Sequence, residues 1–155
     1  MKKYLKVILI YTFIGFLPDI LNGISELFFE TSISFDNEEV QGMSLIEIVF
    51  LTIIVGPVIE TLIFQALLIW GLLKVKFLRN NEWMLILICG LVFGLSHGYS
   101  TQHIVFATYG GVILAHLYIK MFNLLNHKKA ILITTMVHLL RNLLIFIMVD
   151  LLKLF

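Results

Sequence analysis

Cysteine is almost missing from this 155-residue chain: Cys89 stands alone, which excludes a disulfide framework and a CxxC metal site. Charge is scarce too. Only 14% of the residues are charged and the formal net charge is +1, so a basic nucleic-acid-binding domain and a charge-rich disordered chain are both excluded. Two prolines and ten glycines rule out a collagen-like repeat. What the chain has in excess is apolar surface, at 60% of residues and a mean hydropathy of +1.01. A soluble domain runs nearer about half apolar and about a quarter charged. One small core cannot hide the difference, because a chain of this length leaves much of its surface in contact with solvent. That solvent is lipid. At about 20 residues per crossing, the length allows about five helices with short loops and no separate soluble domain.

The first apolar run, Tyr4 to Leu21, follows Lys2 and Lys3. No small-residue cleavage site follows it, so it reads as a retained anchor. Ile20, Leu21, Ile24, Leu27 and Phe28 then recur at helical spacing, which suits a short interfacial helix. Thr31 to Gly42, with Asp36, Glu38 and Glu39, reads as a loop. Met43 to Leu73 is a long apolar block broken by Gly56-Pro57, predicting a tilted or kinked helix with freed carbonyls at the break. Trp83 to His97, His103 to Phe122 and Ala130 to about Leu152 complete five spans. The fold class is therefore all-α, a polytopic transmembrane bundle with a short interfacial helix.

Charge orients the bundle. Lys2, Lys3 and Lys6, then Lys74, Lys76 and Arg79, then Lys120, Lys128 and Lys129 fall on one side. The other side holds Glu26, Glu30, Asp36, Glu38 and Glu39, with Lys153 its sole cation. The positive-inside rule puts the N-terminus in the cytoplasm and the C-terminus outside. Two small-residue stripes, Gly90/Gly94/Gly98 and Ala107/Gly111/Ala115, predict closely packed helices.

Few polar groups lie inside the apolar runs: Glu60, Gln65, His97, His116, His138, Arg141 and Asn142. Each needs a partner or a purpose, since a charged side chain costs about 3 kcal/mol there on insertion scales. Taken alone, Glu60 reads equally as a protonated packing acid and as a general base working near pH 7. His97 shares a face with Gly90, and His138 and Asn142 are one turn apart. Helical rise puts Glu60, His97 and Asn142 about 20 Å from the cytoplasmic ends of their helices, with His138 about 6 Å shallower than Asn142. One water-accessible cavity among all four is therefore sterically open. His116 reads as interfacial, His103 and His127 as solvated, and Arg141 as snorkelling or paired with a carboxylate. Gln65 lies about 140° around an ideal helix from Glu60 and is expected to serve a different contact.

These residues give the chain a resemblance to the CAAX protease and bacteriocin-processing (CPBP, or Abi) family of intramembrane proteases. That family carries Glu-Glu-x-x-x-Arg, Phe-x-x-x-His and His-x-x-x-Asn motifs on successive helices. Glu60 to Gln65, Phe93 to His97 and His138 to Asn142 match them in order, with Pro57 ahead of the first and Phe106, Gly110/Gly111 and Leu117-Tyr118-Ile119-Lys120 between the later two. The likeness runs from about Gly56 to Asn142. Two positions depart: the family's second glutamate is Thr61 here, and its arginine is Gln65. Residues 1–42 then read as an anchor span, interfacial helix and acidic external loop, and residues 43–155 as a CPBP-like catalytic bundle.

The resemblance implies hydrolysis of a peptide bond within the membrane, in peptide processing or bacteriocin self-immunity, with a peptide or protein substrate and the lipid bilayer as partners. The expected setting is a bacterial plasma membrane. Carried over, Glu60 deprotonates a water that His97 helps hold, and His138 and Asn142 stabilise the oxyanion. With Glu60 as a ligand, the set Glu60, His97 and His138 suits zinc but leaves no obvious base; with Glu60 as base, the remaining set is a poor one. Zinc and a metal-free mechanism both stay open. The alternative is a catalytically silent membrane immunity or regulatory protein that binds a peptide or partner, supported by Thr61 and Gln65. An ion pathway ranks last, because the polar groups gather at one depth instead of forming a series.

Overall fold

In hydrocarbon, every backbone N–H and C=O must be paired within the chain, which leaves helices as the natural solution for apolar runs of this kind. The structure is a computed structural model and describes residues 2–29, 44–98 and 101–151. Among these, the chain forms α1 (Lys2–Phe29), α2 (Leu45–Leu72), α3 (Lys76–Arg79), α4 (Glu82–Leu95), α5 (Thr101–Leu124) and α6 (His127–Ile145), the last continued by π-helical turns over Phe146–Leu151. The all-α bundle expected from composition is what forms. Tyr4–Leu21 within α1, α2, α5 and His127–Met148 are each long and apolar enough to cross a membrane. The expected third span is the shorter α4, whose 14 residues reach about 21 Å by helical rise, against a hydrocarbon core of about 30 Å.

The boundaries have local causes. Ser44 caps α2: its hydroxyl accepts from the Glu47 N–H at 3.4 Å, and the Glu47 carboxylate accepts from the Ser44 N–H at 2.7 Å. This reciprocal box starts the helix at Leu45. Asn126 caps α6 by accepting from the Lys129 N–H at 3.0 Å, which starts that helix three residues before the expected Ala130. The stretch expected to form a separate interfacial helix instead continues α1 without a break, with Pro18 inside the helix. Thr31 to Gly42 and the terminal Lys153 lie outside the described residues.

Gly56-Pro57 does not break α2. Proline lacks the N–H that an α-helix would bond back to the preceding turn, and the chain absorbs the defect by widening. Val49–Val55 and Thr61–Leu67 are π-helical, on either side of an α-helical Gly56–Glu60. The inward stripe consequently repeats every fourth residue: Ile53, Pro57, Thr61, Gln65 and Ile69 are all buried. Ile54, Val58, Ile59, Leu62, Ile63, Leu67 and Trp70 face outward, which is the surface lipid requires.

α4 and α5 form an antiparallel hairpin around Gly90 and Gly94. A Cβ on Gly94 would collide with Thr108 Oγ1, and one on Gly90 with Val112. The close approach therefore depends on the missing side chains. Gly98, expected to extend that stripe, lies past the end of α4 and meets no facing helix. The core gathers Leu85, Ile86 and Cys89 of α4, Leu114, Ala115, Leu117 and Tyr118 of α5, and Ile133 and Val137 of α6.

α1 is held to the bundle by polar ties. Arg141 of α6 pairs with Asp19 at 3.0 Å and donates from Nε to the Gly15 carbonyl at 2.8 Å. Tyr109 donates to the Ile14 carbonyl at 2.9 Å. Of the two roles open to Arg141, pairing with a carboxylate is the one it takes. His116 hydrogen-bonds the Tyr11 hydroxyl at 3.1 Å and stacks on Trp83. His127, expected to be solvated, instead meets the Tyr118 hydroxyl at 2.6 Å in a partly buried contact.

Candidate active site

Three helices bring one carboxylate and two imidazoles together. Glu60 Oε2, from the α-helical step between the two π segments of α2, lies 3.4 Å from His138 Nε2 of α6 and 3.8 Å from His97 Nε2 just beyond α4. The side chains grade from open to closed: Glu60 is 27% exposed, His97 20% and His138 3%. The acid and one imidazole are thus reachable from outside the protein, while the other is sealed within it.

The hydrogen bonds of His97 define which of its nitrogens is free. Nδ1 stands 2.7 Å from the Phe93 carbonyl and 3.2 Å from Ser96 Oγ. A carbonyl only accepts, and the Ser96 hydroxyl already donates to that same carbonyl at 2.7 Å. Both contacts require Nδ1–H, so the lone pair of the neutral ring is on Nε2 and faces Glu60. Two acceptors 3.8 Å apart are a suitable seat for a water that donates one hydrogen to each.

Phe93 explains the Phe-x-x-x-His spacing twice over. Its carbonyl holds His97, and its ring packs at 4.5 Å from the His97 ring and edge-on at 5.9 Å from His138. Phe64 meets Phe93 edge-on at 5.3 Å. His103, expected to be solvated, sits in the first turn of α5 and stacks over His97 at 6.0 Å. On the far side of His138, Nδ1 lies 3.4 Å from the hydroxyl of Thr61, which is wholly buried.

Asn142 sits one turn beyond His138 on α6. Its amide donates to the Thr52 carbonyl of α2 at 3.0 Å, so its recorded bond ties the two helices together and does not enter the Glu60–His138 pair. Gln65 lies in the core, fully buried, and neither amide atom is hydrogen-bonded among the described residues. Thr61, Phe93 and His103 were not singled out as site residues from the sequence. The available signal was the stripe of four: Thr61 and Gln65 recur in step with Pro57.

Glu60, His97 and His138 do not converge as a metal cage. Among the described residues no three His, Cys, Asp or Glu side chains have an arrangement that could hold an ion.

A family model described as type II CAAX prenyl endopeptidase, Rce1-like, matches residues 42–144. No curated protein and no solved structure matches the chain.

Proposed function

As the chain belongs to the type II CAAX prenyl endopeptidase Rce1-like family, a family of membrane proteases acting on peptide substrates, we propose that it hydrolyses a peptide bond using a water activated by Glu60 and His97. The observation that carries this reading is the convergence of one acid and two imidazoles, from three separate helices, within 3.8 Å of a single carboxylate oxygen.

The water sits between Glu60 Oε2 and the lone pair of His97 Nε2. Glu60 takes a proton from it as its oxygen attacks the scissile carbonyl carbon. A carboxylate that has just become a carboxylic acid is a weaker acceptor, so His138 Nε2–H is released from Glu60 toward the developing oxyanion. This donor is aimed at charge that appears only in the transition state, which is where stabilisation accelerates the reaction. Collapse of the tetrahedral intermediate breaks the C–N bond, and Glu60 returns the proton to the leaving amine. One water is consumed and one carboxylate and one amine are formed. Asn142 contributes its second amide hydrogen to the oxyanion while the first stays on Thr52.

For substrate, we favour an unprenylated peptide in processing or bacteriocin self-immunity, acted on in a bacterial plasma membrane with the N-terminus cytoplasmic. The distribution of Lys and Arg along the chain supports that orientation. A second reading, a peptide-binding protein without turnover, draws on the unpartnered amide of Gln65 and on Thr61 at the position of the family's second glutamate.

The test is cleavage in proteoliposomes of two probes, a farnesylated peptide ending in a CAAX sequence and an unmodified hydrophobic peptide, with products identified by mass spectrometry. Glu60→Gln is expected to slow cleavage about a hundred- to ten-thousand-fold. Cleavage of either probe at the wild-type rate by this variant overturns the mechanism, and binding of a probe without any cleavage by the wild type favours the second reading.

A further inference from the structure

We propose that Thr61 is a positioning residue that fixes the tautomer of His138, and this rests on the reading of Glu60 as the base. The argument begins with what the ring can do. His138 is 3% exposed and Thr61 wholly buried, so water is not at hand to correct a mismatched hydrogen bond. A neutral imidazole carries one N–H and one lone pair. Its Nε2 faces Glu60 Oε2 at 3.4 Å, and a carboxylate only accepts. With the lone pair on Nε2, two acceptors would face each other at that distance. The proton therefore belongs on Nε2, and the lone pair on Nδ1 needs a donor.

Thr61 is that donor. Its hydroxyl stands 3.4 Å from His138 Nδ1, across 77 positions of sequence. A threonine inside a helix usually turns its hydroxyl back to the carbonyl four residues earlier, and Thr52 on the same helix does so, donating to the Ile48 carbonyl at 2.6 Å. Thr61 instead reaches across to α6. The step of four along α2 puts it on the inward stripe beside Glu60, so one helix supplies partners for both nitrogens of one imidazole.

The hydroxyl has a consequence that an acid at this position would not have. A carboxylate accepts from Nδ1–H and leaves a lone pair on Nε2; a hydroxyl donates to Nδ1 and leaves a hydrogen on Nε2. Thr61 thus keeps His138 as a hydrogen-bond donor toward the scissile carbonyl, with a single acid in the site.

The test uses the full chain in detergent or lipid, with its histidines labelled with nitrogen-15, and Thr61→Val and Thr61→Ser variants. Valine keeps the shape and removes the donor; serine keeps the donor. The wild type and Thr61→Ser are expected to give a pyrrole-like Nε2 and a pyridine-like Nδ1 at His138, and Thr61→Val a mixture or reversal of the two. In the cleavage assay, Thr61→Val is expected to lower kcat about 10- to 100-fold with KM within about twofold, and Thr61→Ser to restore most of it. A protonated Nδ1 in the wild type, or a Thr61→Val protein with the wild-type nitrogen signature, overturns the inference. The spectrum is read without substrate, so a chain that fails to cleave while showing the expected tautomer counts against the hydrolytic reading and not against the role of Thr61.

Discussion

Glu60 stands between two imidazoles that present opposite faces to it: a lone pair from His97, fixed by the Phe93 carbonyl, and, in the proposed arrangement, an N–H from His138. One carboxylate oxygen is within 3.8 Å of both. An acid so placed has a hydrogen-bond donor on one side and a seat for water on the other, which separates the two tasks of a hydrolase between two rings. Gln65 is the residue that has no such explanation. Both atoms of its amide are buried without a partner among the described residues, and burying an unpaired polar group costs about 1–3 kcal/mol. Gln65→Met, close in volume and without the amide, is expected to leave unfolding in detergent unchanged or raise stability by about 1 kcal/mol, as read by denaturant titration. A clear loss of stability would mean that the amide is satisfied by something other than protein.

Among the elements, the α4–α5 hairpin sets the position of His97. The helices touch through Gly90 and Gly94, and a Cβ on Gly94 would meet Thr108 Oγ1 and the Ile104 carbonyl, the latter at 2.7 Å. Backbone cannot move aside as a flexible side chain would, so Gly94→Ala must separate the helices. The expected cost is about 1–3 kcal/mol of stability, with a fall in kcat for the probe peptides because His97 lies three residues on. Circular dichroism melts and the cleavage assay check both. By contrast Gly71, with nothing within 4 Å of an added Cβ, tolerates alanine without effect on either. α2 makes the complementary contribution: its π-helical turns carry the inward stripe straight along the helix, so that Glu60 and Thr61 both reach α6.

For the whole molecule, the tie between α1 and α6 is a charge pair of low exposure, Asp19 at 15% and Arg141 at 13%. Removing one partner leaves the other charge without compensation, so Asp19→Asn is expected to cost about 3 kcal/mol. Adding Arg141→Met should recover part of that loss, a non-additivity that a double-mutant cycle in detergent unfolding detects. Equal and additive losses would contradict a direct pair.

Much of this bundle is legible in the sequence. Apolar runs mark the helices because lipid tolerates little else, and the rarity of polar residues inside them singles out seven side chains, of which Glu60, His97 and His138 come together. What could not be read was set by contacts distant in sequence or by departures from ideal helical geometry. The spacing over Ile20 to Phe28 suggests a separate interfacial helix, yet α1 runs through that stretch without a break. Spacing of four puts Thr61 and Gln65 on one face of any helix, but which face the bundle covers is set by packing, and this stripe is the buried one. The Asn142 side chain shares its direction with His138, but its recorded bond goes to a backbone carbonyl on α2 that no motif announces.

The central claim is that Glu60 and His97 activate one water as a unit, and a double-mutant kinetic comparison tests it most directly. Cleavage of the probe peptides is measured for Glu60→Gln, His97→Ala and the two combined. If the pair works as a unit, the combined variant is no slower than the slower single one, because the first substitution already removes what the second would. Losses that multiply in the combined variant, or a single variant that cleaves as fast as the wild type, would contradict it.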